Sequence, residues 1–320
     1  MTSRSIAPAA IVACLLAFVA RAQEGGASAE IDVATGGTIV VTLTVGDVKI
    51  ETWRKAKARL VNRDGDERHG SRIVARETAD GVTFECVGRQ GDFRLAIPES
   101  SSLELTVSAG DIRLESDIAG DLRLTTHGGD IRAREVGGAA HMKTAAGDAA
   151  IKSFKGELRI KTAGGDVLVS GGEGDAYLKT AGGDVFVKGV RGKVEAATPS
   201  GDVYYELGAN AGGTNLDAGS GDVIISVPDA SVGAEIELTA RNARSAEDVV
   251  RSDFPGEVED DGRSDFPGEV EDDGRSDFPG EVEDDGRRGG QFRATYLVNG
   301  GGPKIRASVE RGEFQITKKR

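Results

Sequence analysis

The chain has 320 residues, a formal net charge of -13, 46 glycines and only 5% aromatic residues. That length holds one large domain or two ordinary ones, and the glycine excess suits short strands joined by tight turns better than helices. An acidic chain with no basic runs interleaved with aromatics argues against nucleic acid as a partner.

Residues 1–22 read as an export signal. Arg4 supplies the positive start, residues 11–19 an apolar run, and Ala20, Arg21 and Ala22 a small-x-small cleavage site before Gln23. A rival reading lipidates Cys14 within Ile11-Val-Ala-Cys14, but the apolar run continues past it. Membrane association is expected only if Cys14 is lipidated or the signal stays uncleaved. Once the signal is removed Cys86 is the single cysteine, so no intramolecular disulfide is expected. The expected location is extracytoplasmic: periplasm, cell surface or medium.

Residues 23–37 read as a linker and 38–320 as one all-β domain. From 38 to 97 the strands are irregular, in "TIVVTLTVGDVKIETW", "RIVARE", "GVTFECVG" and "FRLAIP". Gly46-Asp47-Val48 already contains the turn that later repeats, so this region is expected to begin the same sheet.

Regular rungs are expected over 103–228. The aspartates of Gly-Asp turns fall at Asp111, Asp130, Asp148, Asp166, Asp184, Asp202 and Asp222, in steps of 18 to 20 residues. A period of this size marks stacked repeats. One and three residues after each Asp, and eight and six before it, the side chains are mostly apolar, which is the period-two pattern of strands with one buried face. A second glycine marks the other turn at Gly120, Gly138, Gly156, Gly174 and Gly192. The pattern predicts a single-stack β-solenoid, or β-helix, of about 18 residues per rung, with rungs about 4.8 Å apart. Gly is expected at the corner for positive φ, and Asp as an acceptor for a backbone N–H in the turn. Thr126, Thr144, Thr162, Thr180 and Thr198 recur four residues before Asp, where stacked hydroxyls bond one another or the backbone.

"RSDFPGEVEDDG" then occurs three times over 251–286, each copy with one arginine and five acids, so the copies carry -12 of the net -13. It reads as a long acidic loop inserted before the last rung, with little apolar surface to bury. A sharper expectation has it fold back onto a basic face. Residues 303–318 return in the phase of the earlier rungs and are expected to close the stack at its edge.

"TLTVGDVKIETW", "FRLAIPESSSLELTVSAGDIRL", the "KTAGGDV" ladder and the ending "GGPKIRASVERGEFQITK", in this order and phase, resemble the bacterial toast-rack family of adhesin-like domains. The resemblance implies an extracytoplasmic β-solenoid with envelope or surface functions, and it supplies no catalytic residues.

The chemistry is sparse, and no cofactor or metal is expected. A column of Asp suggests calcium, but the full Gly-Gly-x-Gly-x-Asp phrase never occurs, and turn capping is the favoured role. His69, His127 and His141 belong to no catalytic motif, although a carbohydrate-active enzyme on a β-helical scaffold remains the alternative. Two outward stripes are the candidate binding residues. One is a basic ladder of Arg123, His141, Lys143, Arg159, Lys161 and Lys179. The other follows Arg113 and Arg132 with Ala150, Leu168, Phe186, Tyr204 and Ile224, an apolar column. Each stripe is either solvated surface or a contact for a partner, an envelope protein or an anionic glycan. The segment 229–250 is the part of the chain expected to cover the apolar column if the chain covers it at all. The reading reached is a non-enzymatic binding or scaffold protein, or a structural, stress-linked envelope component with no ligand.

Overall fold

The computed structural model describes residues 22–64, 72–88, 91–208, 212–228, 231–243, 249–254, 256–260 and 290–319. Residues 1–21 of the expected export signal, with Cys14, as well as His69 and the second and third acidic copies, lie outside them. Among the described residues every regular element is a strand and none is a helix.

Two long sheets of 15 and 13 strands face each other, with a small pair, Gly172–Glu173 and Val190–Arg191, between successive rungs. Each rung gives one strand to each sheet. Leu158–Lys161 lies in the first and Val167–Val169 in the second; Ala176–Lys179 and Val185–Val187 lie beside them in parallel. Leu158 stands opposite Ala176 and Val167 opposite Val185, so equivalent residues stack in columns. The apolar alternation turns Leu158, Ile160, Val167 and Val169 inward, all fully buried. One continuous core runs from Ala29 to Ile316. Burying each such aliphatic side chain stabilises the stack by about 1.5–3 kcal/mol before chain entropy is set against it.

The stack begins in the irregular region. Thr38–Val45 pairs in parallel with Ser102–Ala109, and Val48–Trp53 with Ile112–Leu114. Beyond them the direction reverses: Arg72–Thr78 and Lys57–Asn62 pair antiparallel to Gly81–Val87 and Phe93–Pro98. Within the expected linker 23–37, residues 23–25 and 28–32 are strand. Ala22–Gly25 covers Arg72–Thr78, and Ser28–Asp32 covers Lys57–Asn62. The alternation Ala29, Ile31, Val33 carried that signal, and Ala29 and Val33 are buried. Uncovered strands there would leave both sheets open to pairing with other chains.

The C-terminal end differs from the expectation in two ways. Lys304–Val309 does not close the first sheet; it lies between Thr214–Ala218 and Ala234–Ala243. Phe314–Lys318 likewise lies between Val223–Val227 and Val250–Ser252 in the second. The apolar period sets which face of a strand is buried, which holds for Ile305, Ala307 and Phe314, but it does not name the neighbouring strands. The edge is made by antiparallel strands, Gly290–Val298 on Ala234–Ala243 and then Gly256–Asp260. Those last residues belong to the first acidic copy, which is thus built into the sheets and is not a loop. Its Arg251 and Ser252 pair with Gln315 and Ile316, and Phe254 is buried. Val249 and Val250, which precede only this copy, carry the strand into it.

Candidate functional site

The repeated phrase Lys-Thr-Ala-Gly-Gly-Asp-Val, starting at Lys161 and again at Lys179, assigns a task to each kind of residue. Val167 and Val185 fill the core. The Thr180 hydroxyl donates to the Gly165 carbonyl of the rung before at 2.8 Å and accepts the Gly183 N–H at 3.2 Å. Thr144, Thr162 and Thr198 do the same, so these hydroxyls bond backbone and not one another. A Cβ on Gly165 would fall inside 3.0 Å of the Gly147 carbonyl oxygen, closer than real Cβ atoms come. Gly165 does not adopt positive φ; close approach between rungs, and not the left-handed backbone expected from the sequence, requires glycine here.

The aspartates form a continuous ladder. Oδ1 of Asp47, Asp111, Asp130, Asp148, Asp166, Asp184 and Asp202 each accepts the backbone N–H of the next Asp in the stack, ending at Asp222, at 2.8 to 3.0 Å. Asp222 Oδ1 accepts the Glu313 N–H at 2.7 Å, which ties in the C-terminal rung. One oxygen of each of these carboxylates, Oδ1, is thus engaged by the backbone. Among the described residues no three His, Cys, Asp or Glu side chains are grouped to hold a metal.

Lys is the exception in the phrase. Lys143, Lys161 and Lys179 stand side by side on adjacent strands of the first sheet, facing solvent. Among the described residues none of the three ammonium groups has an ion pair or hydrogen bond. The other half of the expected basic ladder is different. Arg123, His141, Arg159 and Tyr177 form the neighbouring column. Glu157 accepts two hydrogen bonds from Arg159, at 2.5 and 2.9 Å, and lies 3.4 Å from His141 Nε2. The Arg159 guanidinium holds the Glu157 carboxyl below the usual carboxylate range, assisted by His141 and opposed by desolvation. Arg159 also stacks on Tyr177, its guanidinium carbon 4.5 Å from the ring centre, and Lys193 pairs with Glu195 beside them. Most of this column is neutralised. Arg123, at its start, is exposed.

Beyond Lys179 the column continues through Ala197, Asp217 and Ser308. The small Ala197 leaves a groove of about 250 Å³ lined by Lys179, Pro199, Asp217, Arg241 and Glu310 among others. Arg241 and Glu157 did not figure among the expected site residues. Glu157 sits two residues before Arg159, where alternation puts it on the same face; Arg241 reaches the groove only because its strand joins the C-terminal rung.

The apolar column lies on the outer face of the second sheet. Arg113 and Arg132 bond the aspartates of their own rungs at 2.6 and 3.0 Å. Ala150, Leu168, Phe186, Tyr204 and Ile224 then follow in register. Phe186 and Tyr204 stack face to face, centroids 4.6 Å apart and planes at 7°. One face of each ring is thus turned along the stack toward the other. The Tyr204 hydroxyl donates to Asp202 Oδ2 at 3.1 Å. Of the segment expected to cover this column, Ala234–Ala243 lies in the first sheet instead, and Val250 is in an edge strand of the second, Val250–Ser252. Of the histidines, His127 is an exposed turn residue and His141 is engaged by Glu157.

The model of the Toastrack DUF4097 family matches residues 22–178 and, overlapping, 139–253. The chain belongs to this family. No curated protein matches the toast-rack sequence. Among solved structures, a candidate adhesin from Bacteroides fragilis is 13% identical over 93% of this chain and 97% of its own, with a TM-score of 0.39. Candidate adhesins from Parabacteroides merdae and Parabacteroides distasonis are 11% and 13% identical. Each matches 64% of this toast-rack chain over 90% of its own length, with a TM-score of 0.43. The family assignment rests on the sequence match, and TM-scores below 0.5 add nothing to it.

Proposed function

We propose that this toast-rack protein is an exported, non-enzymatic binding protein of the cell envelope or surface, and that it holds an anionic glycan along Lys143, Lys161 and Lys179. Residues 1–22 serve as its export signal, and the rungs over 103–228 as the rigid scaffold. One observation carries the reading: in the repeated phrase, Thr, Gly, Asp and Val all hold the stack together, and Lys alone among its charged groups has no partner among the described residues.

The backbone fixes the three lysines about 4.8 Å apart in a line across the strands. Like charges in such a line repel, and a polymer bearing regular acids relieves all of them at once. Ordered strands bear the attachment points, so binding costs little backbone entropy. Arg123 and the partly neutralised Arg159 extend the positive face on one side, beside His141. The stacked aromatics of the other sheet complete the ladder of that sheet and bind nothing in this reading.

The test is retention of the full chain on immobilised polygalacturonate, with neutral dextran as control. The chain is expected to bind the acidic polymer only. Changing Lys143, Lys161 and Lys179 together to Gln should abolish retention, and Phe186→Ser with Tyr204→Ser should leave it, each variant being checked for strand content by circular dichroism. Equal retention of the lysine variant and the native chain would refute the assignment.

A further inference from the structure

Four passages of chain meet at the corner of the stack opposite the aspartate ladder. Residues 33–37, 99–101 and 115–121 cross there from the second sheet to the first. The fourth passage, 54–56, does not cross. After Val48–Trp53 the chain runs past the end of Phe93–Pro98 and turns back into Lys57–Asn62 of the same sheet. A groove of about 330 Å³ lies between these passages, lined by Thr35, Trp53, Arg54, Lys55, Glu99 and Ser100 among others. Pockets for small ligands begin at about this size.

Trp53 is the single tryptophan of the chain. It stands five residues after Val48, as Val136 does after Ile131 and Phe154 after Ala149, and Val48, Ile131 and Ala149 share one column. Val136 and Phe154 are buried, whereas Trp53 is only half-buried, because no crossing chain closes its corner. The indole N–H donates to the Lys57 carbonyl at 2.7 Å, which fixes the ring and leaves it apolar surface with no free donor. The Lys55 ammonium lies 4.8 Å from the ring centre. Among the described residues neither that ammonium nor the Arg54 guanidinium has an ion pair. Arg54, Lys55, Glu99, Thr35 and Ser100 are all exposed, so the rim offers two cations against one carboxylate, with two hydroxyls between them.

We infer that this groove is a second binding site, and that it holds a single acidic pyranose, a uronate, packed on Trp53 with its carboxylate on Arg54 and Lys55. A pyranose brings C–H surface for a fixed aromatic ring and hydroxyls that both donate and accept, which is what the rim can satisfy. The excess of cation over carboxylate selects an acidic sugar over a neutral one. The site does not depend on the lysine column, which lies on the first sheet. A ligand of one ring binds at about millimolar strength, too weakly to retain a polymer by itself, so retention on polygalacturonate still reads the column alone.

Tryptophan emission of the full chain reports Trp53 alone. Titration with galacturonate should change it saturably in the millimolar range, and galactose or acetate at the same concentrations should not. Broadening of the galacturonate proton resonances by the chain is a second readout that does not need the indole to respond. Arg54→Gln, in an exposed turn, should raise the half-saturating concentration about tenfold. Changing Lys143, Lys161 and Lys179 together to Gln should leave it where it was. The site is overturned if neither readout saturates, or if galactose or acetate responds as galacturonate does. It is equally overturned if Arg54→Gln binds like the native chain, or if the lysine variant loses the response. A native chain that passes through polygalacturonate unretained would refute the lysine column and leave this site standing.

Discussion

Asp166 Oδ1 accepts the backbone N–H of Asp184, its equivalent one rung further along the stack, at 2.8 Å. The same bond recurs from Asp47 to Glu313, so one column of carboxylates fastens the corners of the rungs from the irregular beginning to the C-terminal strands. The corner needs a side-chain acceptor because the strand ladder ends there, and a buried or half-buried N–H left without a partner is costly.

Replacing Asp166 by Ala removes the acceptor and should destabilise the chain by about 1–3 kcal/mol, while Asp166→Asn keeps an oxygen in place and should cost less. Because the ladder is closed by N–H groups, a calcium chelator should leave the melting temperature unchanged. Thermal melts of the three samples check both points, and a chelator-dependent drop would restore the calcium reading.

Gly165→Ala and Gly164→Ala should part company. The first places a Cβ against the Gly147 carbonyl, where backbone must move, and is expected to give little folded protein. The second meets nothing nearer than 3.6 Å, and Ala146 already occupies the equivalent place one rung before. It should change stability by no more than about 0.5 kcal/mol. Soluble yield and melting temperature of the pair are the readout.

The division between what sequence showed and what it did not follows the same lines. Columns such as Leu158 beside Ala176 were legible because neighbours in a parallel stack are also equivalents in the repeat. The place of Lys304–Val309 was not, since a strand with the right apolar phase fits beside any rung, and only the completed pairing with Ala234–Ala243 chooses. The lysine column was visible as an outward stripe. That Glu157 neutralises Arg159 while Lys161 stays unpaired required side-chain positions. The first acidic copy was misread because its Arg251 and Ser252 pair with Gln315 and Ile316, 64 positions later in the chain.

Tyr205 offers a test of the core. Its ring is buried and its hydroxyl makes no hydrogen bond, although the Thr214 hydroxyl and the Gly208 backbone lie near. Tyr205→Phe should therefore be neutral at pH 7 or stabilising by up to about 1 kcal/mol. Burial pushes the phenol above its ordinary value. The neutral form is thus favoured by folding, and that contribution is intact below about pH 10 and lost as pH rises through the folded value. Tyr205→Phe should remove this part of the alkaline loss, measured by denaturant midpoints across the alkaline range.

Glu157 links stability to the binding face. Arg159 depresses its folded pKa, so the contribution is present above the ordinary carboxylate value and disappears as pH falls through the depressed one. Glu157→Gln should lower the melting temperature slightly at pH 7 and not at all in strong acid. The same change releases Arg159 and His141 from their carboxylate, so polygalacturonate should bind more tightly. Weaker binding would mean that Glu157 positions Arg159 for the ligand and does not neutralise it.

The most direct measurement is the salt dependence of polygalacturonate affinity, taken by calorimetric titration on the native chain and on the Lys143, Lys161 and Lys179 to Gln variant. If the column is the contact, the native affinity falls steeply with salt, and the variant binds weakly with a shallower slope. Equal affinities and equal slopes would show that the polymer, if bound, lies elsewhere on the stack and that the three lysines are only solvated surface.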